Sequence, residues 1–140
     1  MIKPKSGQSK NYDWVGGQSS ILSEFGTLHL EFVYLSSASS DPKYAEKVCQ
    51  IRKHLDQMDK PFGALYYATV NPNTGEWGEK KLTIGAFGDS FYEYLLKSWV
   101  QSNGTDSEAR RMFDAAAEAI DKHMLKKSRT GLLISNLVDF

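Results

Sequence analysis

The sequence predicts a mainly α-helical domain: about four helices in antiparallel pairs, with a small β-ribbon between the pairs. Three observations predict it. Apolar side chains recur at three- and four-residue spacing in four stretches of the chain. The connections within each pair are short and carry Pro, Asp, Asn or Gly, which suits helical hairpins. Between the second and third stretches lies a region rich in β-forming residues, divided by the turn signal Asn71-Pro72-Asn73-Thr74-Gly75.

Residues 1–18, rich in Lys, Ser, Gly and Gln, read as loop. Ser19 or Ser20 can cap a first helix running to about Ser37, with Ile21, Phe25, Leu28, Phe32 and Leu35 as its stripe. Asp41-Pro42 supplies a cap and a first-turn proline for the second helix, whose stripe is Tyr44, Val48, Ile51, Leu55 and Met58. Lys60-Pro61-Phe62-Gly63 breaks it. Leu65–Val70 and Glu76–Ile84 read as the two strands of the ribbon. The third helix runs from Asp89 to about Gln101, with Tyr92, Leu95, Leu96 and Trp99 on one face. Ser102-Asn103-Gly104 is a turn. Thr105 and Glu108 then form a capping box for the fourth helix, striped by Ala109, Met112, Phe113, Ala116, Ile120, His123 and Met124 and ended by Gly131.

Composition narrows the function classes. The chain has 140 residues, 41% hydrophobic and 24% charged, which suits one globular domain. Lys+Arg and Asp+Glu are both 17, so the basic excess of a nucleic-acid partner is absent. Carbohydrate and protein partners stay open. Cys49 is the single cysteine, which excludes an intrachain disulfide and a cysteine-based zinc site; its helical surroundings read as a small buried side chain. No apolar run approaches transmembrane length, and Met1-Ile2-Lys3-Pro4-Lys5 lacks a signal-peptide core, so residues 1–140 display no route into the secretory pathway. His29, His54 and His123 show no metal-ligand spacing. Asn103-Gly104-Thr105 fits a glycosylation sequon, a pattern common by chance.

Carboxylates carry the chemical interest. Asp89 follows Gly88 at the start of the aromatic run Phe91-Tyr92-Glu93-Tyr94. An Asp there can accept backbone N–H bonds and is favoured as an anion by the helix dipole. It reads either as a helix cap or as a catalytic carboxylate at the mouth of a helical barrel. Glu24 and Glu31, seven residues apart, would share one face of the first helix about 10 Å apart, lining a pocket or a solvated flank. Glycoside hydrolysis needs two carboxyl groups across one bond, and Glu24, Glu31, Asp89 and Glu93 are the candidates. Phe25, Phe87, Phe91, Tyr92, Tyr94 and Trp99 lie near them; such rings stack on sugars and also fill helical cores.

Two segments go beyond generic helices: Ser19-Ser20-Ile21-Leu22-Ser23-Glu24-Phe25-Gly26-Thr27-Leu28-His29-Leu30-Glu31-Phe32 and Gly88-Asp89-Ser90-Phe91-Tyr92-Glu93-Tyr94-Leu95-Leu96-Lys97. Both closely resemble the class I α-mannosidases, glycoside hydrolase family 47. Lys5-Ser6-Gly7, Ala45-Glu46-Lys47-Val48, Asn71-Pro72, Thr74-Gly75, Trp77-Gly78, His123 and Lys127-Ser128 support the likeness, which spans residues 1–132. The resemblance implies a partial (α/α)7 barrel, a central slice making up roughly a third of that domain. It implies removal of α-1,2-linked mannose from high-mannose N-glycans, with inversion and a bound calcium ion. Asp89 matches the family's catalytic aspartate and Glu24 a substrate-contacting glutamate. Glu31 and Glu93 are expected to support the pocket. Phe87 stands where the endoplasmic-reticulum type carries arginine and the Golgi type an apolar residue, so it is expected to touch substrate and to favour Golgi-like, broader trimming. The setting implied is the lumenal side of the Golgi or endoplasmic-reticulum membrane.

Other family residues find no match. Its acid glutamate falls before Met1; its second catalytic glutamate, calcium-holding threonine and disulfide cysteines fall after Phe140. No metal-binding residue is therefore assigned in this chain, and the membrane is reached only through an anchor that residues 1–140 do not contain. Residues 133–140 read as a divergent tail. The expectation is a piece of a mannosidase, inactive alone. The alternatives are a glycan-binding or quality-control relative without catalysis, a degenerate truncated copy, and a cytosolic helical adaptor.

Overall fold

In the computed structural model, residues 5–6, 10–131, 133–135 and 138–139 are described, those after 131 as backbone only. Gly7 of the Lys5-Ser6-Gly7 match, part of the 1–18 loop and part of the 133–140 tail lie outside the described residues.

Three helices form as their stripes predict. Helix α3, Lys43–Gln57, follows Asp41-Pro42, and the Asp41 carboxylate accepts the Lys43 N–H at 3.1 Å. It buries Val48, Arg52 and Leu55. Helix α4, Asp89–Gln101, buries Phe91, Tyr92, Leu95 and Ser98. Helix α5, Ser107–His123, buries Ala109, Met112, Ala116 and Ala119. The core gathers Leu22, Leu55, Leu65, Tyr66, Leu82, Phe91, Leu95, Met112 and Met124.

The expected first helix is instead three elements. Strand β1 is Ser20–Ile21, helix α1 is Leu22–Phe25, and helix α2 is His29–Ser39. Ser19 and Ser20 cap nothing: Ser19 is buried and Ser20 pairs with Val70. The break falls at Gly26. A Cβ there would lie 2.6 Å from both the Leu22 carbonyl oxygen and the Phe91 ring, so the backbone passes against α4 where no side chain fits. The Thr27 hydroxyl then donates to the carbonyls of Ser23 (2.7 Å) and Glu24 (3.1 Å), closing the short helix. The stripe expected across the break is lost with it: Leu28 and Leu35 are exposed, whereas His29 is buried. Helix α2 packs mainly on α3 and α4 on α5, with α1 and α2 also touching α4.

The ribbon is looser than expected. Strand β2, Thr69–Val70, pairs antiparallel with β1. Strand β3 is Lys81–Leu82, and it pairs with β6, Val138–Asp139. The two expected strands meet at the isolated bridges Tyr67–Leu82 and Val70–Trp77, with the Ala68 N–H donating to the Lys81 carbonyl and the Gly78 N–H to the Thr69 carbonyl, both at 2.9 Å. The cap of α5 is Asp106, whose carboxylate accepts the Ala109 N–H at 3.0 Å; the Thr105 hydroxyl instead donates to the Ser102 carbonyl, and Glu108 turns to Arg52. The fourth helix also ends earlier than Gly131: residues Leu125–Lys127 form β4, antiparallel to β5, Leu133–Ser135. Cys49 is half-buried rather than buried, and burial pushes its thiol up from its ordinary value. Among the described residues no helix is long and apolar enough to cross a membrane.

Candidate active site

Asp89 is the first residue of α4, one position inside the helix, and Gly88 occupies the cap without a side chain. Its Oδ1 accepts the Ser90 N–H at 2.8 Å and the Ser90 hydroxyl at 3.3 Å. The carboxylate is exposed. The turn that carries it is tightly specified. The Gly88 and Asp89 amides both donate to the Gly85 carbonyl, at 3.1 and 3.0 Å. A Cβ on Gly88 would lie 2.4 Å from the Thr83 carbonyl oxygen, so only glycine fits. Phe87 adopts φ 86, a left-handed conformation uncommon for a bulky side chain.

The same turn holds Glu24 nearby. The Ser23 N–H donates to the Phe87 carbonyl at 2.9 Å, and Ser23 precedes Glu24 in α1. The close approach of Gly26 to Phe91 binds α1 to α4 from below. Two acidic residues distant in sequence are thus carried by one rigid junction: Asp89 on the first turn of α4, Glu24 on the first turn of α1.

Glu31 and Glu93 behave differently. The break at Gly26 separates Glu24 and Glu31 onto two helices, so the single shared face expected for them does not exist. The Glu31 carboxylate accepts the Tyr94 hydroxyl at 2.8 Å, linking α2 to α4 and raising the Tyr94 phenol from its ordinary value. Glu93 pairs with Lys97 at 2.9 Å along the exposed side of α4.

A buried charge cluster, absent from the sequence reading, braces the helices behind this junction. The Arg52 guanidinium donates to Glu108 at 3.0 Å and to Asp106 at 2.9 Å, and its Nη1 lies 3.3 Å from His29 Nε2. It therefore joins α2 and α3 to the start of α5. Burial, with Arg52 adding to it, lowers the His29 imidazole from 6.5 to about 4. His29 Nδ1 has no partner among the described residues, and a cavity of about 10 Å³ lies between His29, Gly26, Phe91 and Tyr94. The one signal in the sequence was an arginine inside the apolar stripe Val48, Arg52, Leu55.

Aromatic rings also extend from the junction. Trp14 stacks on Phe87 with centroids 5.8 Å apart, and Tyr12 stacks on Trp14 at 5.1 Å. A tryptophan in a Gly-, Ser- and Gln-rich loop was the available clue. Among the described residues no three His, Cys, Asp or Glu side chains converge as a cation site.

The sequence profile of glycosyl hydrolase family 47 matches residues 1–139. Mannosyl-oligosaccharide 1,2-alpha-mannosidase IB of Mus musculus is 55% identical over 133 residues, 95% of this chain and 21% of that protein. The Homo sapiens protein of the same name is 54% identical over 94% of this chain and 20% of its own length. The Drosophila melanogaster mannosyl-oligosaccharide alpha-1,2-mannosidase IA is 54% identical over the same shares. The chain thus spans about a fifth of the length of these relatives. A solved α-1,2-mannosidase from Trichoderma reesei superimposes with a TM-score of 0.79 over 86% of this chain and 26% of that one, at 22% identity, which speaks to fold: part of an α/α barrel.

Proposed function

The chain belongs to glycosyl hydrolase family 47, and from that membership we propose that it forms one wall of the active site of a mannosyl-oligosaccharide 1,2-α-mannosidase, with Asp89 as a catalytic carboxylate. The observation that carries this reading is the junction itself. An exposed aspartate stands on a glycine that tolerates no side chain, and the preceding residue is hydrogen-bonded to the helix bearing Glu24.

Inverting hydrolysis places one carboxylic acid against the leaving oxygen and one carboxylate against a water on the opposite face of the sugar, roughly 6.5–9.5 Å apart. Asp89 supplies one of the two. Ser90 fixes one carboxylate oxygen, and the other takes no hydrogen bond among the described residues, so it is free to hold a proton or a water. Glu24, an acceptor for sugar hydroxyls, orients the mannose. Phe87 offers an apolar ring where a cation would make charge-assisted bonds, which supports the broader, Golgi-like trimming. The substrate class is the high-mannose N-glycan, and the setting is the lumenal side of the Golgi or endoplasmic reticulum. Calcium, which the family resemblance implies, would be held outside the described residues, and no step is derived through it. Glu31 and Glu93 hold helix surfaces rather than substrate.

A chimera tests the assignment. Residues 10–131 of this chain replace the matching segment of the Mus musculus relative, and mannose release from a high-mannose oligosaccharide is followed. The chimera is expected to be active, and its Asp89→Asn form to lose at least about a thousandfold in kcat, the scale on which removing a group essential to the transition state acts. The 140-residue chain alone is expected to release no mannose. An Asp89→Asn chimera within tenfold of its parent would refute the catalytic role; an inactive chimera that still binds the glycan would favour a non-catalytic, glycan-binding relative.

A further inference from the structure

The turn between α4 and α5 holds a motif that the proposed chemistry does not use. Asn103-Gly104-Thr105 is the single Asn-X-Ser/Thr triplet in the sequence, and its middle residue is not proline. Such a triplet lets an asparagine accept an oligosaccharide on its side-chain amide, and the folded chain tolerates the product only at the surface. All three residues are exposed.

The turn itself does not require an asparagine side chain. Asn103 follows the C-cap of α4 with φ 53, and Gly104 has φ 80. The Asn103 N–H donates to the Val100 carbonyl at 3.0 Å and the Gly104 N–H to the Trp99 carbonyl at 2.9 Å, which closes the helix end. Trp99 Nε1 donates to the Gly104 carbonyl at 3.1 Å. Glycine would suit the left-handed backbone at 103 as well. None of these bonds uses the Asn103 side chain.

Thr105 is equally spared by the next helix. Asp106 caps α5, and the Thr105 hydroxyl returns to the Ser102 carbonyl at 2.8 Å. The approach to α5 is fixed by Ser102, whose hydroxyl oxygen accepts the Thr105 and Asp106 amides at 3.1 and 2.9 Å. The turn also stands clear of the candidate active site. Helix α4 has 13 residues, about 20 Å at 1.5 Å per residue, and Asp89 is at its other end. Val100, on the last turn before Asn103, is 60% exposed and offers apolar surface that a first sugar can cover.

We propose that Asn103 is an N-glycosylation site, with a lipid-pyrophosphate-linked oligosaccharide as donor. The anomeric C1–O bond of the donor breaks and a C1–Nδ2 bond to Asn103 forms. Nδ2 loses one proton, and the lipid pyrophosphate leaves with the electron pair. The glycan then projects from the α4–α5 turn. This rests on the lumenal setting of the proposed mannosidase reading, where such a donor is met.

Cell-free translation with microsomes tests it. The 140-residue chain is placed behind a cleavable leader and one reporter sequon, so that the reporter glycan shows that the chain has met the transferase. Gel mobility counts the glycans. The parent is expected to carry two, Asn103→Gln and Thr105→Ala one, and Thr105→Ser two. Transfer acts on the emerging chain, so the count does not depend on a variant folding. A parent with the reporter glycan alone overturns the site, as does a second glycan that survives Asn103→Gln. Either result leaves the mannosidase reading standing, because that is decided by mannose release from the Asp89→Asn chimera. In the chimera, Asn103→Gln is expected to leave mannose release unchanged. A glycosylated chimera whose activity returns only with Asn103→Gln would overturn the placement of the glycan clear of Asp89.

Discussion

Replacing Arg52 by Met is the most direct test of how this piece of barrel is held together. Arg52 is 8% exposed, yet its guanidinium makes bonds of 3.0 Å to Glu108 and 2.9 Å to Asp106, with a second contact to Asp106 at 2.8 Å. Methionine matches the length of the stem and keeps its packing, so the loss isolates the charge. Asp106 is then left as a mostly buried carboxylate whose remaining basic neighbour is His29, 3.9 Å away. Breaking a buried pair by removing one partner costs about 3–5 kcal/mol. The Asp106 and Glu108 side chains keep 16% and 31% exposure, so water recovers part of that, and the lower end, about 3 kcal/mol, is expected. Asp106 must still cap α5 through the Ala109 N–H, which prevents it from turning fully outward.

Urea denaturation of the purified chain measures the change. Arg52→Met should lower the midpoint with little change in slope, and Asp106→Asn should cost less, because a neutral amide oxygen still caps the helix. The double variant separates pair from parts. If the pair acts as described, it loses clearly less than the sum of the two single losses, by about 1–2 kcal/mol. An Arg52→Met loss below about 1 kcal/mol, or strict additivity, would show that the cluster is a solvated contact and not the brace between the two helical pairs.

His29 ties stability to pH. Its folded value, about 4, lies below the ordinary 6.5, so the unfolded chain takes up a proton on acidification that the native chain refuses. The contribution is full above pH 6.5, falls as pH drops toward 4, and totals about 3 kcal/mol; His29→Gln should flatten that window in denaturation midpoints, and an unchanged slope would refute the assignment. Gly26→Ala should cost about 1–3 kcal/mol in urea denaturation, because its methyl meets the Leu22 carbonyl and the buried Phe91 ring at 2.6 Å. A neutral Gly26→Ala would mean that the α1–α4 junction is not as tight as described.

What could be read in advance followed the range of the interactions involved. Helices α3, α4 and α5 are set by side chains three and four positions apart, and their stripes are visible in any window of the chain. The break in the first helix is not local. Gly26 interrupts an otherwise helical pattern because Phe91, in a different helix, occupies the space a side chain would need. The pairing of Ser20 with Val70 joins residues on opposite sides of the second helix, and no local alternation could announce it. Thr105 and Asp106 are both good caps, adjacent in sequence, and the choice between them was made by Arg52, whose partner Asp106 is already turned toward the Ala109 amide.

The candidate site divides the same way. Asp89 stands out in its own segment, because the glycine before it and the aromatic run after it are contiguous. Glu24 and Glu31 illustrate the opposite case. Helical spacing joined them on one face, whereas Gly26 sends Glu24 to the Phe87–Asp89 turn and Glu31 to the Tyr94 hydroxyl. The sequence pattern carried the residues, but the packing of one glycine under one phenylalanine decided which helix start is bonded to the Asp89 turn. Trp14 carries no comparable local signal. A single ring in a polar loop has no periodicity, and its meaning comes only from Phe87, whose left-handed backbone brings the ring into the row. The strained Phe87 backbone is two residues from the start of α4, so a change that relaxes Phe87 should move the Asp89 carboxylate as well.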